Sequence, residues 1–186
     1  AAVRPGIVKD VKDPNATVLN TEVFAPLLSF ISVKSDTGAA DTFLPAAVKL
    51  CNEHCFGSLS MSIMIDGATQ KQYATELDNA IDALKWGSIG INTWGGSLVF
   101  HAASRWGAYP GLHSIKDVQS GLGEIGNCRM YDHAAKSVAW EPFNHPGHFE
   151  IPSEKKKALL YRLAWFGCRP GYWRLMGVLS SAVLGW

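Results

Sequence analysis

The chain has 186 residues, 47% of them hydrophobic and 18% charged, with a formal net charge of +1. That suits one domain with a real core, or one domain plus an appendage, and it excludes two full-sized domains, a disordered chain, a collagenous chain or a disulfide-dense one. No apolar run reaches the roughly 18–20 residues that a membrane-spanning helix needs.

Residues 1–20 are polar and broken by Pro5, Gly6, Pro14 and Asn15, and they read as an irregular arm. The start Ala1-Ala2-Val3-Arg4 carries no initiator Met, as expected of a processed or partial chain. Leu27–Val33 is a short apolar, β-prone run, expected to form a buried strand, and Ser35-Asp36-Thr37-Gly38 is a turn. Leu44, Val48, Cys51 and Cys55 then recur at helical spacing. Proline is tolerated in a first turn, so Pro45 predicts a helix start near Asp41 or Thr42, and Gly57 should end it.

Leu59–Ile65 is the second strand, closed by Asp66-Gly67. Thr69-Gln70-Lys71-Gln72 fits a capping box, in which the Thr69 hydroxyl and the Gln72 amide would satisfy free N–H groups. Tyr73, Leu77, Ala80, Ile81 and Leu84 form one apolar stripe, with Gly87 as its stop, and Ser88–Asn92 is a third strand. Each connection between these strands is long enough for a right-handed crossover. The expected architecture is therefore α/β: a partial parallel sheet, in the order strand–helix–strand–helix–strand, with helices on its faces.

From Trp94 to Gly126 no period persists, and a long structured loop region is expected; Ser137–Trp140 reads as an isolated strand. Pro142, Pro146 and Pro152 mark an extended linker. Ser153 and Glu154 open a helix over Leu159–Phe166, interrupted at Gly167 and Pro170, and a last helix covers Trp173–Leu184. Six of the 17 basic residues and none of the 16 acidic ones lie in 155–186, which leaves residues 1–154 near −5 and the tail at +6. The domain reading is an arm (1–20), an α/β body (21–143), and a linker with a basic, aromatic tail (144–186).

Several patterns that resemble sites weaken in context. Gly121-Leu122-Gly123-Glu124-Ile125-Gly126 spells G-x-G-x-x-G, but a dinucleotide site needs a buried strand before it and a helix after it. Ser114–Ser120 and Asn127-Cys128-Arg129 supply neither, so a glycine-rich turn is expected. Cys51, His54 and Cys55 fall within one helical turn, and Cys128 with His133 would have to complete a four-ligand zinc site. Since Cys51 and Cys55 sit on the apolar stripe, they read as small hydrophobes, and no metal is expected. None of the four cysteines lies in a nucleophile motif, and His101, His113, His133, His145 and His148 lie in loop-like stretches. With so few cysteines, a reduced intracellular setting is expected, an organelle such as a mitochondrion or plastid included.

A family resemblance runs through the body. Thr21-Glu22-Val23-Phe24-Ala25-Pro26 resembles the E-[IV]-F-G-P signature of the aldehyde dehydrogenase superfamily. Asn52 with Phe56-Gly57-Ser58-Leu59-Ser60, and Gly87-Ser88-Ile89-Gly90-Ile91-Asn92, are similar to its next two segments in order. Trp106–Gly111 and Asp117–Gly121 resemble a bacterial-type branch, and Lys136-Ser137-Val138 is similar to the strand that members use in oligomer contacts. The similarity covers about residues 20–143, the C-terminal part of the family's catalytic domain.

The resemblance implies a nicotinamide-ribose contact at Glu22, with Phe24 packing nearby; the motif's glycine is Ala25 here. In the family, the nucleophilic cysteine, the general-base glutamate and the nucleotide-binding domain precede this motif, and only 21 residues precede Glu22. Cys51 and Cys55 align with a helix and do not inherit the nucleophile's role. The expected function is thus a non-catalytic, dehydrogenase-derived accessory or structural subunit, with no cofactor for this chain alone. The alternative is a fragment or split subunit of an active enzyme, which would use NAD(P).

Other protein subunits are the expected partners, docking on Arg162, Trp165, Phe166, Arg169, Trp173, Arg174 and Trp186, since aromatics and arginine are enriched at interface hot spots. The same tail suits a membrane surface. Nucleic acid is not expected, because six charges give only modest phosphate affinity and no RNA motif accompanies them.

Overall fold

The computed structural model describes residues 4–143 and 154–184, in two compact units that divide near residue 145. The first unit opens with β1 (Gly6–Val8) and one helical turn, α1 (Thr17–Asn20). β1 pairs in parallel with β2 (Leu27–Ser29), Gly6 standing opposite Leu27. The segment expected as an irregular arm is therefore one half of a small sheet. The strand expected over 27–33 is shorter than its apolar run and is not buried: Leu28 is 56% exposed. An apolar β-prone run reports that a strand is favourable, but not which sheet will accept it or how deep that sheet lies.

The chain then forms α2 (Ala40–His54), β3 (Ser60–Ile63), α3 (Gly67–Gln72), α4 (Ala74–Ala83) and β4 (Ser88–Ile91). A 3₁₀ turn (Gly95–Phe100), β5 (Arg105–Gly107), β6 (Glu124–Gly126) and β7 (Ser137–Trp140) follow. β3, β4 and β7 make one three-stranded parallel sheet with β4 in the centre. β7, expected to stand alone, is its third strand, while β2 lies outside it. β5 and β6 pair antiparallel inside the stretch expected as loop. Three-residue strands offer too few positions for a hydrophobic period to register. The G-x-G-x-x-G run ends in β6 and no helix follows it, so the phosphate geometry is not built there.

Helix ends differ from expectation in instructive ways. α2 begins at Ala40, which carries Pro45 beyond the first turn. Gly57 does not end α2, which stops at His54; with a φ of +91° it turns the chain toward β3. The cap of α3 is Asp66 rather than Thr69: its Oδ1 accepts the Ala68 and Thr69 amides at 3.0 and 3.1 Å, and its Oδ2 accepts the Thr69 hydroxyl at 2.6 Å. A carboxylate one turn earlier outcompetes the Thr69 hydroxyl because it is charged and faces two free amides.

The Thr69 hydroxyl, and then the amides, hold the Asp66 carboxyl below the usual carboxylate range. A depressed acid stabilises the fold above its unfolded pKa of about 3.9 and loses that contribution as the pH falls through the folded value. Asp66→Asn should therefore melt at a lower temperature than the wild type near neutral pH. The gap between the two melting curves should close under acid.

The strands' alternation divides the sheet into two unlike faces. Met61, Ile63, Ile89, Ile91 and Val138 fall on one face, where they pack with Leu44 of α2 and Leu77, Ala80 and Ile81 of α4 in the main core. The opposite face carries Ser60, Ser62, Ser88, Gly90, Ser137 and Ala139, all of them small. There the 3₁₀ turn comes close. Gly95 N–H donates to the Ser62 hydroxyl at 3.0 Å, and a Cβ on Gly90 would stand 2.7 Å from the Gly95 nitrogen. Helices thus cover one face, and a short turn lies against the other.

The second unit is a pair of helices, α5 (Glu154–Cys168) and α6 (Tyr172–Leu184), joined through Arg169-Pro170-Gly171. α5 runs through Gly167, expected as an interruption, and stops before Pro170, which cannot continue a helix. The linker around Pro146 and Pro152, with His145, His148, Ser153 and Trp186, lies outside the described residues.

Candidate functional site

In open parallel sheets ligands meet the strands at their carboxyl ends. Here that edge gathers Asp66 after β3, the Asn92–Gly96 loop after β4, and Glu141 after β7. Asn92 anchors it. Its backbone N–H donates to Ile63 O at 2.8 Å, and its side-chain oxygen accepts the Ile65 N–H at 2.8 Å. These bonds hold Asn92 at a φ of +58° while it is buried. The Glu141 N–H donates to Ile91 O at 2.9 Å, so all three strand ends are tied in register. The Trp94 ring lies over Gly96, where any side chain would collide with the indole, and stays half exposed at the rim. Beside this edge a cleft of about 290 Å³ runs between Trp140 and the Gln70, Lys71 and Asp78 side chains.

Two cations are fully employed at the opposite, amino-terminal end of the sheet, where β4 and β7 begin. Arg105, 6% exposed, pairs with Glu124 through Nε and donates to Ala108 O at 2.8 Å, Gly107 O at 3.2 Å and Ala135 O at 3.4 Å. Lys136 donates to the carbonyls of Ile81, Asp82 and Leu84 at 2.7, 2.8 and 2.7 Å. An ammonium among the last carbonyls of α4 satisfies groups that a helix end otherwise leaves orphaned. Desolvation lowers the Lys136 pKa, and the nearby Asp82 carboxylate opposes that shift.

Cys51 and Cys55 share a hydrogen bond at the end of α2. Accepting the Cys51 S–H lowers the Cys55 thiol to about 7, whereas donating it, together with burial, pushes Cys51 well up. Both thiols pack beside the main core. Among the described residues no three His, Cys, Asp or Glu side chains gather closely enough to hold a metal ion. Cys128 and His133 are exposed.

A wider cleft, about 860 Å³, lies between α2 and the 10–14 and 31–34 segments. Lys12, Lys34 and Lys49 face it with Asp10 and Glu53, and its volume is that of a small-molecule site. Glu22 and Phe24 do not line it. They sit between α1 and β2, both exposed, with Phe24 at 92%. Among the described residues the Glu22 carboxylate has no hydrogen-bonding or ionic partner.

No family model, no curated protein and no solved structure matches the chain.

The tail residues divide by role. Arg162 points into the hairpin, donating to Gly177 O at 2.9 Å and to the Ser181 hydroxyl. Arg174 donates to Arg169 O and stacks on Trp165 at 5.5 Å. Phe166 is half-buried, while Trp165, Arg169 and Trp173 are exposed. The residues that organise the carboxyl edge, Asp66, Asn92 and Trp94, were not selected from sequence as site residues. The signal was present: Asp66-Gly67 and Asn92 each follow a strand, where caps and left-handed turns belong.

Proposed function

We propose that the chain is a non-catalytic module derived from the aldehyde dehydrogenase superfamily, serving as a structural or accessory subunit of a larger protein assembly. The observation that carries this reading is the open sheet. β3 and β7 each pair on one side only among the described residues, and one face of this parallel sheet is met by a short turn in place of a helix. Such sheets are usually covered on both faces, and an unpaired edge is a template for another chain. Met64, Phe100, Trp94, Trp140 and Phe143 are exposed, four of them on the segments that leave the carboxyl edge, and apolar surface of this kind marks an interaction site. The order of the motifs from Glu22 to Val138, which resembles that of the superfamily, supports the family part of this reading.

The purified chain is expected to bind neither NAD nor NADP by calorimetry and to oxidise no aldehyde. Turnover by the isolated chain would overturn the reading. Turnover that appears only on adding a chain with the nucleophilic cysteine and general-base glutamate would favour a split enzyme instead.

A further inference from the structure

We propose that the α5–α6 hairpin is a membrane-surface element that seats on anionic lipid. This goes beyond the accessory-subunit reading and does not depend on it.

The hairpin closes its own seam and leaves its outer surfaces apolar. Arg162, Gly177 and Ser181 bond across the seam, and Leu159, Phe166 and Val178 are its half-buried or buried side chains. On α6, Tyr172, Leu175, Met176 and Leu179 recur at i, i+3, i+4 and i+7, which places them on one stripe. All four are exposed, and Trp173 beside them is 84% exposed. On α5, Leu160, Tyr161, Leu163 and Trp165 are exposed as well.

Charge decides the occupant. The hairpin carries six basic residues and one acidic residue, Glu154 at the start of α5, so the apolar surface is set in a strongly cationic segment. Basic residues with Trp, Tyr and Leu on short helices are the composition of an interfacial element, where aromatic rings sit at headgroup level and cations meet anionic lipid. The stripe on α6 supplies the apolar contact, and the exposed aromatic and aliphatic side chains of α5 stand beside the same cations. The helices are 15 and 13 residues long, about 22 and 20 Å, too short to cross a hydrocarbon core of about 30 Å. No described helix is long and apolar enough to span a membrane.

The test is co-sedimentation of the full chain with phosphatidylcholine vesicles, with and without phosphatidylserine. Binding is expected only where phosphatidylserine is present, and it should weaken as salt rises. Arg169→Gln should weaken it about fivefold, from the loss of one cation near the surface. A Trp173→Ser, Leu179→Ser double variant should weaken it at least about tenfold while keeping the wild-type circular dichroism, since both side chains point outward. Equal binding to neutral vesicles overturns the proposal, as does binding to neither or binding untouched by the double variant. So does a self-associated chain that binds no vesicle and is dispersed by the double variant, which would make the hairpin a protein interface.

Discussion

Arg105→Met should lower the stability of the chain by about 3 kcal/mol, equivalent to a drop of roughly 6–12 °C in melting temperature for a chain of this size. Methionine fills much of the same volume but donates nothing. The carbonyls of Gly107, Ala108 and Ala135 lose their donor, and Ala108 is 1% exposed, so water cannot readily replace it. Glu124 is left unpaired but is 41% exposed on its side chain, which limits that part of the loss. Glu124→Gln separates the two contributions. It keeps an acceptor for Arg105 and removes only the charge, and it should cost under about 1 kcal/mol. Urea unfolding of both variants decides the matter: equal losses would show that the ion pair, not the carbonyl bonds, is what Arg105 supplies.

Gly87→Ala should cost about 3 kcal/mol, at the upper end for overpacking. Its backbone is not left-handed, so the glycine is required for space. A Cβ there would run into the Gly107 carbonyl oxygen and stand 3.0 Å from the Gly107 carbonyl carbon and 3.1 Å from that of Ala108. Neither side can retreat. The Gly87 N–H donates to Ser58 O at 2.8 Å and its carbonyl accepts the Ser137 N–H at 2.9 Å, so movement would pull both ladders of the parallel sheet. Gly67→Ala is the control. Nothing lies within 4 Å of its Cβ position in the first turn of α3, and a gain of about 0.5–1 kcal/mol is expected from a less flexible unfolded chain. A Gly87→Ala chain that melts like the wild type would remove the close approach of β4 to β5 as an explanation.

Gly87 also shows how a residue can be noticed for the wrong reason. From sequence it reads as a helix stop, yet α4 ends at Ala83 and Leu84 caps it. The requirement for glycine comes from Gly107, twenty residues on, through a contact that no local pattern contains. Thr69 and Asp66 repeat the lesson at shorter range: both are good caps, and the carboxylate wins because it reaches two amides and a hydroxyl at once. The candidate site was legible only in outline. Asn92 is visible as the end of an apolar strand, but its bond to Ile65 depends on β3 and β4 lying side by side. Glu22 and Phe24 come from motif order alone, and the fold places them on the surface rather than at the carboxyl edge.

By itself the sequence determined the elements whose cause is local. The stripe of α4, the apolar run of β4, the proline between α5 and α6 and the separation of an acidic body from a cationic tail are all readable, because helical period, propensity and charge act over a few residues. Tertiary structure alone decided which strands share a sheet. It moved β2 out to pair with β1, brought β7 in beside β4, and set small residues on one face and aliphatic ones on the other. Strand pairing is a contest among distant partners for the same hydrogen bonds. Its outcome depends on what each face can bury, and no window of neighbouring residues holds that information.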